Sequence, residues 1–595
     1  MGSAAAGMRI MWHPNEADLH LPVRVIRLSS LPHRCRSELG CPRGYVSRRA
    51  GGRYATGGER SRVLVVTVTP RILSLLCAFA IASASAGQEL KPAPDRKPGE
   101  GAGPFKTLVL RGATLIDGTG SPPIGPVDIV ISGNRIQAIL TAGTPGVPDR
   151  TGRPPRDADY EVDAKGKFVL PGFVDMHVHA GGAPKNADAE YAYKLWMAHG
   201  VTTVRGVPLA AHSFTVREKE RSARNEIVAP RIWNFQRPGS GWSEGGVDSP
   251  EKARRWVRWA AANGVDGLKL GSHEPDIMAA LLDESKKFKM GSTAHLGQMG
   301  VAQMNALDAA RLGLDTVTHF YGHFEALLRD HVVQPWPPGM NYSDEQWRFG
   351  QVARLWDKIH PPGSPQWNAY LREQLELGTV FDPTFTIYSA GRDVMRARTA
   401  DWHESYTLPS LMKFFEPSRT AHGSYFFDWT TEDEVAWRNF YQMWFRLVND
   451  YKKMGGRVTT GSDSGFIYQT YGFGYVLELE LLQEAGFHPL EVIQAATMNG
   501  ATTLCEARGE PLSLGVVKAG MLADLIVVDE NPLQNLKVLY GTGALRLNDA
   551  TGKVERVGGV RYTIKDGIVF DAKRLLADVA EMVAAQKRSG SAGTR

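Results

Sequence analysis

Six residues have types and spacings that suit metal chemistry. His177-Val178-His179 carries imidazoles at i and i+2. In an extended strand such residues point to the same side, so both can reach one ion. Further along stand Lys269 in Asp266-Gly267-Leu268-Lys269-Leu270, His295 in Thr293-Ala294-His295-Leu296, His319 in Val317-Thr318-His319-Phe320 and Asp463 in Thr460-Gly461-Ser462-Asp463-Ser464. Imidazole and carboxylate ligands suit zinc or a similar divalent metal, and hydrolytic sites keep one coordination position open for water. Each residue alone has a plain reading, as a core histidine or a solvated charge. Their joint placement points to a metallohydrolase.

Such placement needs elements that aim all six at one point. Strand-like runs at 172–179, 202–205, 231–235, 266–270, 292–296, 316–320, 380–387 and 458–462 alternate with helical patterns such as 250–263, 275–287 and 301–312. Eight β/α alternations predict an α/β fold, a (β/α)8 TIM barrel with insertions, whose chemistry sits at the C-terminal ends of the strands. An open doubly wound sheet has the same period. The candidate ligands at the ends of strands one, four, five, six and eight favour the barrel. Short alternating strands with Gly-bearing turns at 106–139, and again at 523–528 and 560–567, predict β-rich flanks around it.

The run Pro171-Gly172-Phe173-Val174-Asp175-Met176-His177-Val178-His179 resembles the strand-one signature of the amidohydrolase superfamily. From about Lys106 to Val569 the chain is similar to its imidazolonepropionase-like and prolidase-like members, including Xaa-Pro dipeptidases. Gly200-Val201-Thr202-Thr203-Val204-Arg205, His488-Pro489-Leu490-Glu491-Val492-Ile493-Gln494-Ala495-Ala496-Thr497 and Gly520-Met521-Leu522-Ala523-Asp524-Leu525 carry the same likeness. The resemblance implies a TIM barrel over 171–510 and a small β-sandwich built from both chain flanks, 105–170 and 511–573. It implies two divalent metal ions, zinc foremost: one on His177, His179 and Asp463, the other on His295 and His319, with Lys269 bridging both as its carbon dioxide adduct, a carboxylated lysine. A carbamate offers two anionic oxygens where a neutral amine offers none, and a buried Lys deprotonates readily enough to form one. Paired ions acidify a water between them. Asp463 is then the catalytic residue that moves the proton to the leaving amine, which implies hydrolysis of an amide, peptide-like or cyclic amide C–N bond.

The sequence departs from that pattern on the substrate side. Prolidase-like members follow strand three with a Gly-Gly-His-Gly loop; here the loop is Arg237-Pro238-Gly239-Ser240-Gly241-Trp242-Ser243-Glu244-Gly245-Gly246, and Gly206 follows Arg205 where the family commonly has Asp. Arg237, Tyr321 and His323 are the candidate replacements as substrate contacts, with ordinary loop residues as the alternative. The insert 321–450 holds eight Trp, namely Trp336, Trp347, Trp356, Trp367, Trp402, Trp429, Trp437 and Trp444. Over a barrel mouth it would wall a bulky apolar substrate; otherwise it packs on itself or contacts another copy in a homo-oligomer. Two rival functions remain. A deaminase of the superfamily generally lacks the bridging Lys and has Glu three residues after the strand-five His, where Gln298 stands here. A metal-stabilised binding protein without turnover would tolerate the altered loop.

The chain has 595 residues with a formal net charge of +6. That basicity is local: residues 1–62 hold eleven Arg, no Lys and four acids, and the rest is close to neutral. The pI therefore gives no case for nucleic-acid binding, and the expected partner is a small-molecule substrate. Arg71, the apolar run 72–82 and the Ala-x-Ala site at Ala84 and Ala86 read as a secretory signal peptide cleaved after Ala86. The expected protein is exported, periplasmic or secreted, with no membrane span once mature. A signal starting so far into the chain suggests that translation begins near 63–68. The reading divides the chain into leader and signal peptide 1–86, flexible spacer 87–104, flanks and barrel as above, and a C-terminal helix with a disordered tail over 574–595. Cys505 alone remains after residue 86, so no internal disulfide is expected.

Overall fold

The computed structural model describes residues 90–592 apart from 145, 146, 148–152, 155 and 421; the expected leader and signal peptide lie outside the described residues. Seven parallel strands form the barrel in sequence order: Phe173–Val178, Val201–Gly206, Arg231–Gln236, Gly267–Leu270, Gly291–Ala294, Thr316–Thr318 and Val380–Asp382. Residues 457–463 take the eighth place. Thr459 N–H donates to Phe381 O (2.9 Å), and on the other side Met176 N–H donates to Thr460 O and Asp463 N–H to His177 O (both 2.8 Å). The last segment thus joins strand seven to strand one and carries Asp463 to the side of His177. Most positions of these strands are buried, as expected where one face meets the barrel interior and the other the helices.

The helices form where capping and periodicity agree. Pro250–Ala262 begins with Ser249, whose side chain accepts from Lys252 N–H, and with Pro at the first turn; Ala253, Trp256, Val257 and Ala260 then recur at helical spacing and are buried.

Both flanks meet in one eight-stranded sheet. Its order is Ile568–Asp571, Val560–Lys565, Leu525–Val528, Phe168–Pro171, Thr107–Leu115, Ile124–Ser132 and Arg135–Thr141, with Tyr160–Asp163 also paired to Thr107–Leu115. Phe168–Pro171 runs antiparallel to Leu525–Val528 and leads through Gly172 into barrel strand one. A Cβ at Gly172 would lie 2.0 Å from Thr202 Oγ1, so only glycine permits this approach to strand two.

Residues 90–104, expected as part of a flexible spacer, lie along the barrel. Lys91 N–H donates to Ala187 O (2.8 Å), Arg96 N–H to Glu226 O (2.7 Å) and Ala93 N–H to Glu218 Oε2 (3.1 Å). Lys194 gathers Glu100 (3.0 Å), Glu190 (2.9 Å) and Asp578 (2.8 Å), tying this arm to the first barrel helix and to the helix Ala572–Ala592. The polar composition that suggested a spacer supplies the partners that hold it down. Within the insert, Trp367, Trp437 and Trp444 are fully buried, with Phe320 packed against Trp437 and Trp444 and Phe385 against Trp444. No helix among the described residues is long and apolar enough to cross a membrane.

Candidate metal centre

The strand ends bring His177, His179, Lys269, His295, His319 and Asp463 together. His179 Nε2 lies 3.4 Å from Asp463 Oδ1; His177 Nε2 and His319 Nε2 lie 3.8 and 3.7 Å from Asp463 Oδ2. Lys269 Nζ is 3.1 Å from His177 Nε2. The ring of His319 has its centre 4.9 Å from that of His177 and 4.7 Å from that of His295. His177, His179 and Asp463 form a group that could hold one ion. The donors fit a metal on two further counts. Nε2 of His319 and Oδ1 of Asp463, both turned toward the group, are buried without a hydrogen-bond partner. Burial also holds all four imidazoles well below their ordinary pKa, hence neutral, the form that binds a cation. Burial likewise lowers the Lys269 ammonium and raises the Asp463 carboxyl.

Neighbouring groups fix these side chains. His179 Nδ1 bonds Pro208 O at 2.7 Å, and His319 Nδ1 bonds the Thr384 hydroxyl. Asp175 accepts from the Ser462 hydroxyl (2.6 Å) and the Ser462 N–H (2.9 Å), clamping the eighth segment to strand one. Burial pushes its carboxyl up to about 7. His319, Thr384 and Asp463 all have positive φ (66, 49 and 46°), a conformation that costs non-glycine residues about 1–3 kcal/mol each and that collects at functional sites. Gly461 lets strand eight approach: a Cβ there would lie 2.7 Å from His177 Cβ.

Beneath the site Arg205, fully buried, donates to Asp382 Oδ2 (2.9 Å) and Met176 O (2.7 Å). Removing the guanidinium strands a buried carboxylate, so Arg205→Leu is expected to cost about 3–5 kcal/mol in urea unfolding. An unchanged midpoint and slope would contradict this pairing.

A cavity of about 380 Å³ opens over the centre. Arg237 lines it, as expected. Tyr321 and His323 do not: Tyr321 sits behind Tyr388, sharing a hydroxyl hydrogen bond of 2.6 Å, and His323 bonds the Tyr370 hydroxyl (2.5 Å) under the ring of Phe381. The turn after strand six, with His319 and Gly322 at positive φ, carries His323 into the insert's core. The insert does reach the cavity, through Phe349, Tyr388, His422 and Tyr425, while none of its eight Trp lines it. Among the lining residues that escaped the sequence reading are two basic side chains, Lys185 and His422. Lys185 follows His179 by six residues in a loop with no spacing signal, and His422 belongs to the insert, whose path the sequence does not reveal.

Residues 444–569 match the model of the amidohydrolase family. An N-acyl-D-aspartate deacylase of Alcaligenes xylosoxydans xylosoxydans is 27% identical over 238 residues, 39% of this chain; the chain spans 40% of that relative's length. The crystal structure of a Xaa-Pro dipeptidase with bound methionine in the active site covers 78% of this chain and 100% of its own at TM-score 0.51 and 20% identity. A bottromycin amidohydrolase covers 80% and 91% at TM-score 0.54 and 19% identity. At these identities the structures speak for the fold alone. The family match falls across the segment that delivers Asp463 and the return to the flanking sheet, and over that segment the chain is similar to the amidohydrolase family.

Proposed function

We propose that the chain is a metal-dependent hydrolase of C–N bonds, acting on an amide, peptide-like or cyclic amide substrate. The observation that carries the reading is the Asp463 carboxylate, which lines the cavity and lies 3.4–3.8 Å from three imidazole nitrogens, its Oδ1 lacking a hydrogen-bond partner. His177, His179 and Asp463 would hold one divalent ion, zinc foremost, and His295 and His319 a second, with Lys269 between them as a carbamate. Such ions, when bound, acidify water and polarise a carbonyl.

The chain's own residues supply the rest. Asp463 takes the proton of the attacking water and returns it to the departing amine nitrogen, and its raised pKa suits both steps. Pro208 O and the Thr384 hydroxyl fix the His179 and His319 rings, so no reorientation is needed during turnover. The family match and the amide-cleaving names of its relatives support the same reading. The deacylase and dipeptidase names point to N-acyl amino acids and dipeptides as the first substrates to try.

The test is release of free amine from a panel of dipeptides and N-acyl amino acids, with metal content measured on the same sample. Full metal occupancy with no turnover across the panel would favour a binding protein, and release of ammonia from aminated rings a deaminase. Removing metal with a chelator should abolish turnover reversibly. It should also lower unfolding stability by about 4 kcal/mol relative to protein kept at a thousandfold excess of free metal over its dissociation constant. Equal stability with and without metal would contradict binding at these residues.

A further inference from the structure

The strands Ala544–Asn548 and Lys553–Val557 form a ribbon that pairs with no third strand among the described residues. Two strands alone are marginally stable in water, so such a ribbon gains from having a face packed. Its register decides which residues share a face. Leu545 stands opposite Arg556 and Leu547 opposite Val554, while Arg546 is paired with Glu555 and Asn548 with Lys553. Because side chains alternate along each strand, one face is apolar but for Arg556 and the other is polar and charged. The apolar face is bare: Leu545, Leu547 and Val554 are 63, 57 and 66% exposed.

That face continues into a groove. Leu545 and Arg556 also line a cavity of about 800 Å³, against about 380 Å³ over the metal centre, and the two cavities share no lining residue. Leu477 and Leu481, one turn apart on the helix Phe473–Glu484, line it as well, with Trp402, Tyr468 and Tyr540. The charges at this groove point to the occupant. Glu484 is held by Arg392 (3.1 Å), Glu480 by Lys537 and the Tyr540 hydroxyl (2.6 Å), and Asp401 by Arg556. These internal pairs leave little field to select an acidic or a basic partner. They also neutralise Arg556, the one charge on the ribbon's apolar face, so two copies of that face can meet without like-charge repulsion. An apolar face with a groove beside it is self-complementary, as a contact across a twofold axis requires. The ribbon alone is small for a stable dimer, which needs about 800 Å² per partner, and the groove extends the surface. We propose that the chain pairs with a second copy of itself here, the apolar faces of the two ribbons packed on each other and the groove of each copy taking up the other's ribbon.

Sedimentation velocity of the metal-loaded chain at micromolar concentration tests this. The wild type should sediment as a dimer or a multiple of one. The double substitution Leu547→Glu with Val554→Lys puts opposite charges on a directly paired position, which keeps the ribbon together while making its face polar. It should raise the dimer dissociation constant by about 100-fold or more, since it removes the centre of the apolar contact from both copies. Metal content should not change, because none of these residues lines the metal cavity. Arg546→Ala, on the charged face, should associate as the wild type does. A monomeric wild type, or an assembly that the double substitution leaves intact, would overturn the proposal. Should the double variant fail to fold, Leu547→Ala decides: association weakened about tenfold or more supports the contact, and an unchanged dissociation constant refutes it.

Discussion

Asp463→Asn is expected to lower kcat by about 10³–10⁴-fold, the range a positioned acid–base group contributes, while leaving the chain folded. Asn has the same shape, and the backbone hydrogen bond from Asp463 N–H to His177 O does not depend on the side chain. The positive φ at this position is also one that Asn tolerates well. What disappears is the negative charge 3.4–3.8 Å from three imidazole nitrogens and with it the only carboxylate among the described residues that line the cavity. Steady-state kinetics beside thermal unfolding checks both halves. A variant within tenfold of wild type would remove Asp463 from the chemistry, and a variant that does not fold would make its role structural.

Lys269→Met has the second large effect: loss of at least one bound ion per chain and a fall in turnover of about 10³-fold or more, matching the several kcal/mol of charge stabilisation that an ion supplies. The lysine is buried, 3.1 Å from His177 Nε2, and burial disfavours its ammonium more than the Asp463 carboxylate favours it. An ammonium there opposes metal binding, whereas its carbamate would attract it. Met fills the same volume without either property. Metal analysis and a carbon-13 carbamate signal from protein equilibrated with labelled carbon dioxide should both be lost in the variant. Wild-type metal content and turnover in Lys269→Met would exclude the bridging role.

Much of this was readable in the sequence because the barrel imposes a rule: strand ends face one point. The alternation of short buried runs with amphipathic segments located the strands, and the six metal-centre candidates followed from their positions at those ends. The same rule stops at the first residue of a loop. Tyr321 and His323 lie just beyond strand six, and whether they face the cavity depends on the turn after Phe320, which puts them in the insert's aromatic core. Lys185 and His422 reach the site from loops whose course is set by tertiary packing against Phe414, Phe466 and Glu345. Asp175 and Asp382 were equally visible as letters. Their roles as a clamp on Ser462 and a counter-charge for Arg205 exist only once strands eight and seven are laid beside their partners. The spacer failed for a related reason, since composition does not show that Glu100 and Ala93 find partners on the barrel.

The most direct test of the account is diffraction from zinc-loaded crystals at the zinc absorption edge. The account predicts two anomalous peaks per chain, one among His177, His179 and Asp463 and the other at His295 and His319, with continuous density extending from Lys269 Nζ between them. A single peak, or an unmodified Lys269 side chain beside full zinc occupancy, would contradict it.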